Sequence, residues 1–311
     1  MGECRMDIIN SEIGYMGWLD SESYGLTWKV RGFCKDLSNP DVFDTTNVYG
    51  NIMGSDIHHN YYGHYSYGHQ GGVWTNNKMH DNIQYGFDPH DDSDYLTIAG
   101  NEVYDNGNHG IIASKRCNNV EIYDNVVRDG GEFAVGIFLH RSSDDARVYN
   151  NKIYNMQDAG IAMLESMNAE IYDNTIDNVR YGIRMSLGSA GNYVHDNTFS
   201  VCSEYGLYTY QGSDAPTEGV SDGRPADNVF DSNKITDTAG GVKFKYSDGL
   251  IVSNNEFTGT TELEFFDAQE TQWLGNELPT SGVCVDNISS DKGSDVPEST
   301  FEVSDGLPGD C

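Results

Sequence analysis

Hydrophobic and polar residues alternate along most of this chain, in short runs separated by polar turns. In YGFDPHDDS, residues 85–93, the apolar Phe87 and Pro89 alternate with the polar Asp88 and His90. A period of two is typical of β-strands, whose successive side chains point to opposite faces. No apolar run approaches the length of a membrane-spanning helix. The pattern therefore predicts an all-β protein built from short strands.

These strands belong to a repeat that begins at a glycine and recurs every 22 to 26 residues. The glycines are Gly86, Gly110, Gly136, Gly160, Gly182 and Gly206. Asparagines recur with nearly the same spacing at Asn77, Asn101, Asn125, Asn151, Asn174 and Asn197. Two or three strands per repeat, with Gly and Asn at the turns, predict a right-handed parallel β-helix with one coil per repeat. Leucine-rich repeats are the alternative, but their leucine scaffold is missing.

The repeat also indicates how the chain is organised. It extends through residues 1–278, which we expect to form the β-helix domain, whereas residues 279–311 lose it and are expected to form an acidic tail or cap. The segments 31–46 and 211–227 lengthen two coils, and such insertions often overhang the binding face of a solenoid. We expect the repeated asparagines to form hydrogen bonds along the stack and to take no part in chemistry.

Aligning the strands on their glycines separates an interior face from an outward face. The interior positions are apolar: Phe87, Ile111, Ile137, Ile161, Ile183, Leu207 and Val242, followed two residues later by Pro89, Ala113, Leu139, Met163, Met185, Thr209 and Phe244. The outward strip is Tyr65 and Tyr67, Asp88 and His90, Ile112 and Ser114, Phe138 and His140, Ala162 and Leu164, Arg184 and Ser186, Tyr208 and Tyr210, Lys243 and Lys245. With coils about 4.8 Å apart, this strip predicts a long groove.

Charge limits the partners of this groove. The 49 acidic and 18 basic residues give a net charge of −31, so the protein should repel nucleic acid and anionic membranes. Three cations, Arg184, Lys243 and Lys245, nevertheless share the outward strip with tyrosines. This arrangement suits a linear anionic polymer whose rings stack on the tyrosines. The alternative is that these cations only offset neighbouring acids.

A second charged column lies five residues after each glycine. It contains Asp91, Lys115, Arg141 and Glu165, with Arg116 beside Lys115. An ion-pair ladder at the strand ends explains these residues and contributes little stability if exposed. In a groove, the same residues could instead neutralise a bound carboxylate.

Cysteine number and the first residues bear on the compartment. The six cysteines, Cys4, Cys34, Cys117, Cys202, Cys284 and Cys311, show no zinc-site spacing, and we expect disulfides of a secreted protein in preference to buried free thiols. The first twenty residues lack the apolar core of a signal peptide. We therefore expect an extracytoplasmic catalytic module, secreted or in the cell wall or periplasm, that is a monomer and whose signal peptide is absent from this sequence.

The stretch Tyr85–Ser93 closely resembles the YG[FI]DPH signature of mannuronan C5-epimerases, β-helical enzymes that convert β-D-mannuronate to α-L-guluronate within alginate. The similarity continues through HGIIASK (109–115), LHRSS (139–143) and LES (164–166), and covers roughly residues 10–275. Calcium-dependent secreted epimerases carry a further Asp at the position of Ser114. The periplasmic bacterial branch carries Ser followed by Arg, so the chain is more similar to that branch and to the brown-algal enzymes.

The resemblance implies that Tyr85, Asp88 and His90 are catalytic. His90 and Tyr85 would act as base and acid in either order, with nearby cations lowering the pKa of Tyr85. Asp88 would orient His90 or bind the substrate carboxylate. Either Lys115 or Arg116 would neutralise that carboxylate, which is needed because a proton beside a carboxylate is only weakly acidic.

Substrate contacts are expected along the groove. They are Tyr65, Tyr67, Ser114, His140, Arg141, Glu165, Arg184, Tyr208, Tyr210, Lys243 and Lys245. No cofactor is required, although Ca²⁺ held by Asp91, Asp92 and Asp94 is a possible stabiliser or activator. The expected partner is an alginate or polymannuronate chain. The alternative functions are an alginate lyase, which shares the first step and then expels the C4 oxygen, and a non-catalytic polyuronate-binding β-helix.

Overall fold

The computed structural model describes residues 4–19, 24–30, 46–214, 222–260, 262–279, 284–287 and 298–303. In chain order the strands are β1 (Cys4–Arg5), β2 (Ile8–Ile9), β3 (Glu12–Gly14), β4 (Gly25–Lys29), β5 (Val48–Tyr49), β6 (Ile52–Met53), β7 (Asp56–His58), β8 (Tyr62–Tyr67), β9 (Val73–Thr75), β10 (Lys78–His80), β11 (Phe87–His90), β12 (Thr97–Ala99), β13 (Glu102–Tyr104), β14 (Ile111–Ser114), β15 (Glu121–Tyr123), β16 (Val126–Arg128), β17 (Ile137–His140), β18 (Arg147–Tyr149), β19 (Lys152–Leu164), β20 (Glu170–Tyr172), β21 (Thr175–Ser186), β22 (Tyr193–His195), β23 (Thr198–Tyr210), β24 (Val229–Asp231), β25 (Lys234–Thr236), β26 (Gly240–Asp248), β27 (Ile251–Ser253), β28 (Glu256–Thr258), β29 (Glu262–Gln269), β30 (Thr271–Leu274), β31 (Cys284–Asn287) and β32 (Phe301–Val303). Within these ranges, no helix is long and apolar enough to cross a bilayer.

The strands wind into a solenoid, which confirms the predicted β-helix. Among the described residues, one sheet of 12 strands takes one strand from each coil, a second sheet has 18 strands, and β1 and β5 form a separate pair. In several early coils the second sheet receives two short strands, as with β10 and β11, whereas β19, β21 and β23 run through both positions as strands of 13, 12 and 13 residues. Strands of neighbouring coils pair in parallel, for example β11 with β8 and β14.

The predicted interior columns fill the solenoid. Phe87, Ile111, Ile137, Ile161, Ile183, Leu207 and Val242 all have 0% relative exposure. Burying each such side chain stabilises the fold by about 1.5–3 kcal/mol relative to leaving it in water. A shift of one residue along any strand would exchange its interior and outward columns, so the apolar pattern holds the outward strip in register.

The asparagine ladder forms as predicted. Asn101 Nδ2 donates to Asn125 Oδ1 at 2.9 Å, and Asn125 Nδ2 donates to Asn151 Oδ1 at 3.0 Å. The side chains also accept backbone N–H groups, as Asn125 Oδ1 does from Asn101 N at 2.9 Å. These residues are almost fully buried, so the ladder satisfies polar groups inside each turn and leaves them no chemical role.

Adjacent coils approach closely at the glycines that precede the strands of the outward strip. A Cβ atom on Gly86 would lie 2.5 Å from the carbonyl oxygen of Gly110 and 2.8 Å from Val103 Cγ1. Any larger side chain would force these coils apart. The residue before each glycine, Tyr85 and His109 in these two coils, is therefore held close to its counterpart in the next coil.

The described C-terminal strands and the cysteines bear on two expectations about the chain. Strands β31 and β32 pair with β29 and β30, so the described parts of residues 279–311 extend the solenoid. Cys4, Cys117 and Cys202 are free thiols, and Cys117 and Cys202 are buried. The prediction of disulfides is therefore wrong at these three positions. Cys34, Cys311, the Cys284 side chain and nearly all of the insertion 31–46 lie outside the described residues.

Candidate active site

A cleft of about 460 Å³ opens on the outward face of β8, β11, β14 and β17. Its walls are Tyr24, Tyr62, Tyr65, Tyr67, Tyr85, Asp88, His90, Asp91, His109, Ile112, Ser114, Lys115, Phe138 and His140. The parallel register sets these side chains side by side, because His90 pairs with Tyr67 on one side and with Ser114 on the other. Three of the predicted catalytic residues, Tyr85, Asp88 and His90, therefore share the cleft with Lys115.

His90 is oriented by Asp91. Its Nδ1 is hydrogen-bonded to Asp91 Oδ2, and Asp91 Oδ1 accepts a hydrogen bond of 2.9 Å from Arg116 Nη2. Burial alone would raise the pKa of Asp91, but the hydrogen bond from His90 and the charges of Lys115 and Arg116 outweigh it and lower that pKa. A charged Asp91 keeps the proton on Nδ1 and leaves Nε2 as the basic nitrogen. The expectation that Asp88 orients His90 is corrected.

Asp88 is a buried acid without a hydrogen-bond partner for Oδ1 among the described residues. It is 2% exposed. Burial, and then the negative charge of Asp91, raise the pKa of Asp88 well above its usual range, against a smaller opposing effect of Lys115. The protonated form can donate a hydrogen bond, so this residue suits contact with a carboxylate.

Tyr85 stands at the edge of the cleft between two aromatic rings. Its ring stacks on that of His109 at 5.3 Å and 9°, and lies 4.9 Å from that of Tyr62. Burial, followed by the charge of Asp88, raises the pKa of Tyr85. The expectation that cations lower this pKa is therefore wrong, and the phenol keeps its proton as a donor.

Lys115 and Arg116 occupy different environments. Lys115 is half-buried and lines the cleft. Arg116 is exposed and binds Asp92 through Nε and Nη2, each at 2.9 Å, as well as Asp91. It is not among the residues that line the cleft. Of these two cations, Lys115 is thus the one that faces the cleft.

A hydrogen-bonded pair forms the neighbouring wall. Ser114 Oγ lies 2.9 Å from His140 Nδ1. Burial, with a contribution from the charge of Arg141, lowers the pKa of His140 to about 4. A neutral imidazole therefore lies two coils beyond β11 at neutral pH, and it offers a polar contact without adding charge.

Most groove cations beyond the cleft are paired. Arg184 Nη2 lies 2.8 Å from Asp158 Oδ2, and Lys243 Nζ lies 2.6 Å from Glu264 Oε2. The interpretation that the cations offset neighbouring acids therefore holds for these two residues. Lys245 lies 5.5 Å from the ring centroid of Phe266.

Two tyrosines line the far end of the groove. The rings of Tyr208 and Tyr210 stack at 4.9 Å, and the hydroxyl of Tyr210 accepts a hydrogen bond of 2.8 Å from Arg184. Tyr208 and Tyr210 remain half-buried on the outward strip.

The second charged column behaves as an ion-pair ladder. Arg141 Nη1 lies 3.3 Å from Glu165 Oε2, and Arg141 Nη2 lies 2.9 Å from Asp214 Oδ2. Glu165 is 1% exposed, and its predicted contact with substrate stays a prediction. Because Asp214 belongs to the insertion 211–227, the described part of that insertion reaches back to the coil of His140 along the groove.

The proposed calcium ligands have other partners. Asp91 and Asp92 bind Arg116, and Asp94 accepts hydrogen bonds from Asn118 N at 2.7 Å and Gln70 Nε2 at 3.3 Å. Across the described residues, no group of three His, Cys, Asp or Glu side chains has an arrangement that could hold a metal ion.

Sequence reasoning missed part of the cleft. Tyr24, Tyr62 and His109 line it, and Asp91 acts on His90. One signal was available, because Tyr62, Tyr85 and His109 each precede the glycine of their coil. A column of rings at that position indicates an aromatic wall.

Comparison with known proteins places this geometry among the β-helices. The family described as right handed beta helix region matches residues 41–146, 92–220 and 134–262. The chain is 33% identical over 205 residues to the mannuronan C5-epimerase of Pseudomonas putida, a span of 65% of this chain and 38% of that protein. It is 35% identical over 187 residues to the mannuronan C5-epimerase AlgG of Azotobacter vinelandii, a span of 52% of this chain and 34% of that protein.

Solved structures agree with this placement. The crystal structure of the periplasmic alginate epimerase AlgG superposes with a TM-score of 0.71 at 25% identity, over 83% of this chain and 61% of that one. The A-module of the Azotobacter vinelandii mannuronan C-5 epimerase AlgE4 gives a TM-score of 0.60 at 13% identity over 97% of this chain and 91% of that one, a likeness of fold alone. The chain thus spans well under half the length of the two relatives compared by sequence.

Proposed function

The chain belongs to the right-handed β-helix family, and we propose that it uses this scaffold as an epimerase that converts mannuronate to guluronate residues within alginate. The observation that carries the proposal is the content of the cleft. A carboxylate-oriented histidine, a protonated tyrosine, a neutral buried acid and an ammonium group meet there. Inversion at a carbon beside a carboxylate requires such a set of groups.

The substrate carboxylate must first be made able to accept more charge. The C5 proton of a uronate is weakly acidic because its removal places a second negative charge on the carboxylate. Protonated Asp88 donates a hydrogen bond to that carboxylate, and Lys115 supplies a positive charge beside it. Both interactions strengthen as the charge develops, so they stabilise the transition state more than the ground state.

His90 then removes the C5 proton. Asp91 holds Nδ1–H, so Nε2 carries the free lone pair that takes the proton. The electron pair of the broken C–H bond moves onto the carboxylate. The imidazolium that forms lies against the charged Asp91, which stabilises it.

Tyr85 completes the inversion from the other face of the sugar. Its phenol gives a proton to C5, where a new C–H bond forms as the electron pair returns from the carboxylate. Tyr85 then regains a proton from water and His90 releases its own, which restores both groups. The raised pKa of Tyr85 keeps it protonated until this step.

The proposed reaction also has an expected substrate, metal requirement, oligomeric state and compartment. The substrate is an alginate or polymannuronate chain, whose rings pack on the tyrosines of the cleft and of the far groove. No metal is required, and Ca²⁺ acts at most as a stabiliser or activator. The protein works as a monomer, and it works outside the cytoplasm, where the relative described as periplasmic is found.

The test is product analysis on polymannuronate. We expect ¹H NMR to show guluronate signals that grow with time, with no rise in absorbance at 235 nm, and no reaction with the His90→Ala variant. A rise at 235 nm without guluronate would instead identify a lyase. Binding of polymannuronate without either product would identify a non-catalytic β-helix and end the proposal.

A further inference from the structure

His109 occupies the same place in its coil as Tyr85 in the preceding one. Each residue precedes the glycine of its coil, and the Gly86 N–H donates to the His109 carbonyl at 3.1 Å. The imidazole stacks on the Tyr85 ring at 5.3 Å and meets the Phe138 ring edge to face at 5.2 Å. His109 also lines the cleft. These contacts hold the imidazole beside the phenol.

A backbone hydrogen bond sets the tautomer of His109. The N–H of Val135 donates to His109 Nδ1 at 3.1 Å. Nδ1 must therefore be unprotonated, which places the proton of the neutral ring on Nε2. Burial, followed by the charges of Arg184 and His140, lowers the pKa of His109 to about 3, so the ring stays neutral at physiological pH. None of the described side-chain hydrogen bonds uses Nε2–H.

We propose that His109 contacts the substrate as a neutral hydrogen-bond donor, giving its Nε2–H to an uncharged oxygen of the sugar that packs against Tyr85. The inference rests on the proposed function and adds a specificity residue to it. Asp88 and Lys115 bind the substrate carboxylate. The Nε2–H donor of His109, beside Tyr85, can therefore bind a hydroxyl or ring oxygen of the sugar. A site built to pair such an oxygen discriminates against sugars that lack it.

Two substitutions separate the functions of this ring. His109→Phe keeps a ring against Tyr85 but removes the donor, whereas His109→Gln removes the ring but keeps a neutral N–H donor. We expect His109→Phe to lower kcat/KM on polymannuronate about 10- to 100-fold, the effect of leaving one hydrogen bond to substrate unmade. His109→Gln should recover a large part of that loss.

The pH profile distinguishes the donor from a titrating base. A neutral His109 gives no ionisation near neutrality, so His109→Phe should lower the profile of kcat/KM at every pH without removing a limb. His195→Phe is the matched control, because His195 stacks on Tyr172 at 5.1 Å and 4° on the other sheet. It should leave kcat/KM unchanged.

Long-range ¹H–¹⁵N NMR of the free protein measures the tautomer and protonation state of the His109 imidazole directly, and it does not depend on an activity assay. We expect the His109 signals of an Nε2–H tautomer that persists down to pH 5. An imidazolium at pH 5, wild-type kcat/KM in His109→Phe, or the loss of a pH limb in that variant would each overturn the inference. If wild-type protein forms no guluronate, the proposed function fails instead, and the NMR result still decides the state of His109.

Discussion

Replacing Asp91 with Asn tests whether His90 acts as the base. Asn keeps the size of the side chain but removes the charge that faces the imidazolium formed on proton abstraction. Two unit charges about 4 Å apart, at an effective dielectric constant of about 20, interact by about 4 kcal/mol. At about 1.4 kcal/mol per factor of ten, Asp91→Asn should lower kcat about 10³-fold. The fold should persist, since the substitution lies at the end of β11.

Asp92→Asn is the matched control for this prediction. Asp92 also binds Arg116, through two hydrogen bonds of 2.9 Å, but none of its hydrogen bonds reaches His90. Guluronate formation would be followed by NMR at saturating polymannuronate, with circular dichroism to check the fold. We expect Asp92→Asn to stay within about threefold of wild type. A loss of less than tenfold in Asp91→Asn, or equal losses in the two variants, would refute the assignment of His90 and Asp91 as a catalytic pair.

His90→Ala and Tyr85→Phe should each lower turnover at least about 10²-fold, as removal of a general base or acid does, while a folded variant with near-normal turnover would exclude that residue from the mechanism. Asp88→Asn should raise the melting temperature at pH 8 but not at pH 3. The reason is that the folded protein holds the Asp88 proton more tightly than the unfolded chain, so wild-type stability falls as pH rises above the ordinary carboxyl pKa of about 3.9. An equal effect at both pH values would contradict the raised pKa. Chelation with EDTA should leave activity measurable, and complete loss that only calcium restores would show that a metal is required.

The fold was predictable because the repeat is read directly from residue types. Interior positions such as Phe87 and Ile111 must be apolar in every coil, and the asparagines must recur wherever the turn needs a buried amide. Such demands repeat along the chain and leave a periodic signal. The described strands of the C-terminal segment, β31 and β32, pair with the solenoid without that signal, and the boundary at residue 278 stays a prediction.

The composition of the cleft was largely predictable as well. Tyr85, Asp88 and His90 lie on one strand or beside it, and Lys115 follows the strand of the next coil, so the register alone brings them together. Their electrostatics were not predictable. The raised pKa of Tyr85 depends first on burial, which the sequence does not state.

The sequence also could not predict which acidic residue pairs with each histidine or lysine of the groove. His90 bonds to the adjacent Asp91, which lies in a turn with a φ of 25°, whereas alternation along the strand favoured Asp88. The partner of Lys243 is Glu264, 21 residues further along the chain and on the next coil. Several acids surround each cation in so acidic a chain, and only the side-chain positions decide which of them forms the pair.

The central claim is that base and acid act on opposite faces of the sugar, and isotope placement at C5 tests it most directly. Polymannuronate would be incubated with the protein in D₂O and analysed by NMR at low conversion. We predict that newly formed guluronate carries deuterium at C5, because Tyr85 delivers a solvent-derived proton, while unreacted mannuronate keeps its original hydrogen. Guluronate that retains protium at C5, or mannuronate that gains deuterium faster than guluronate appears, would contradict the two-residue mechanism.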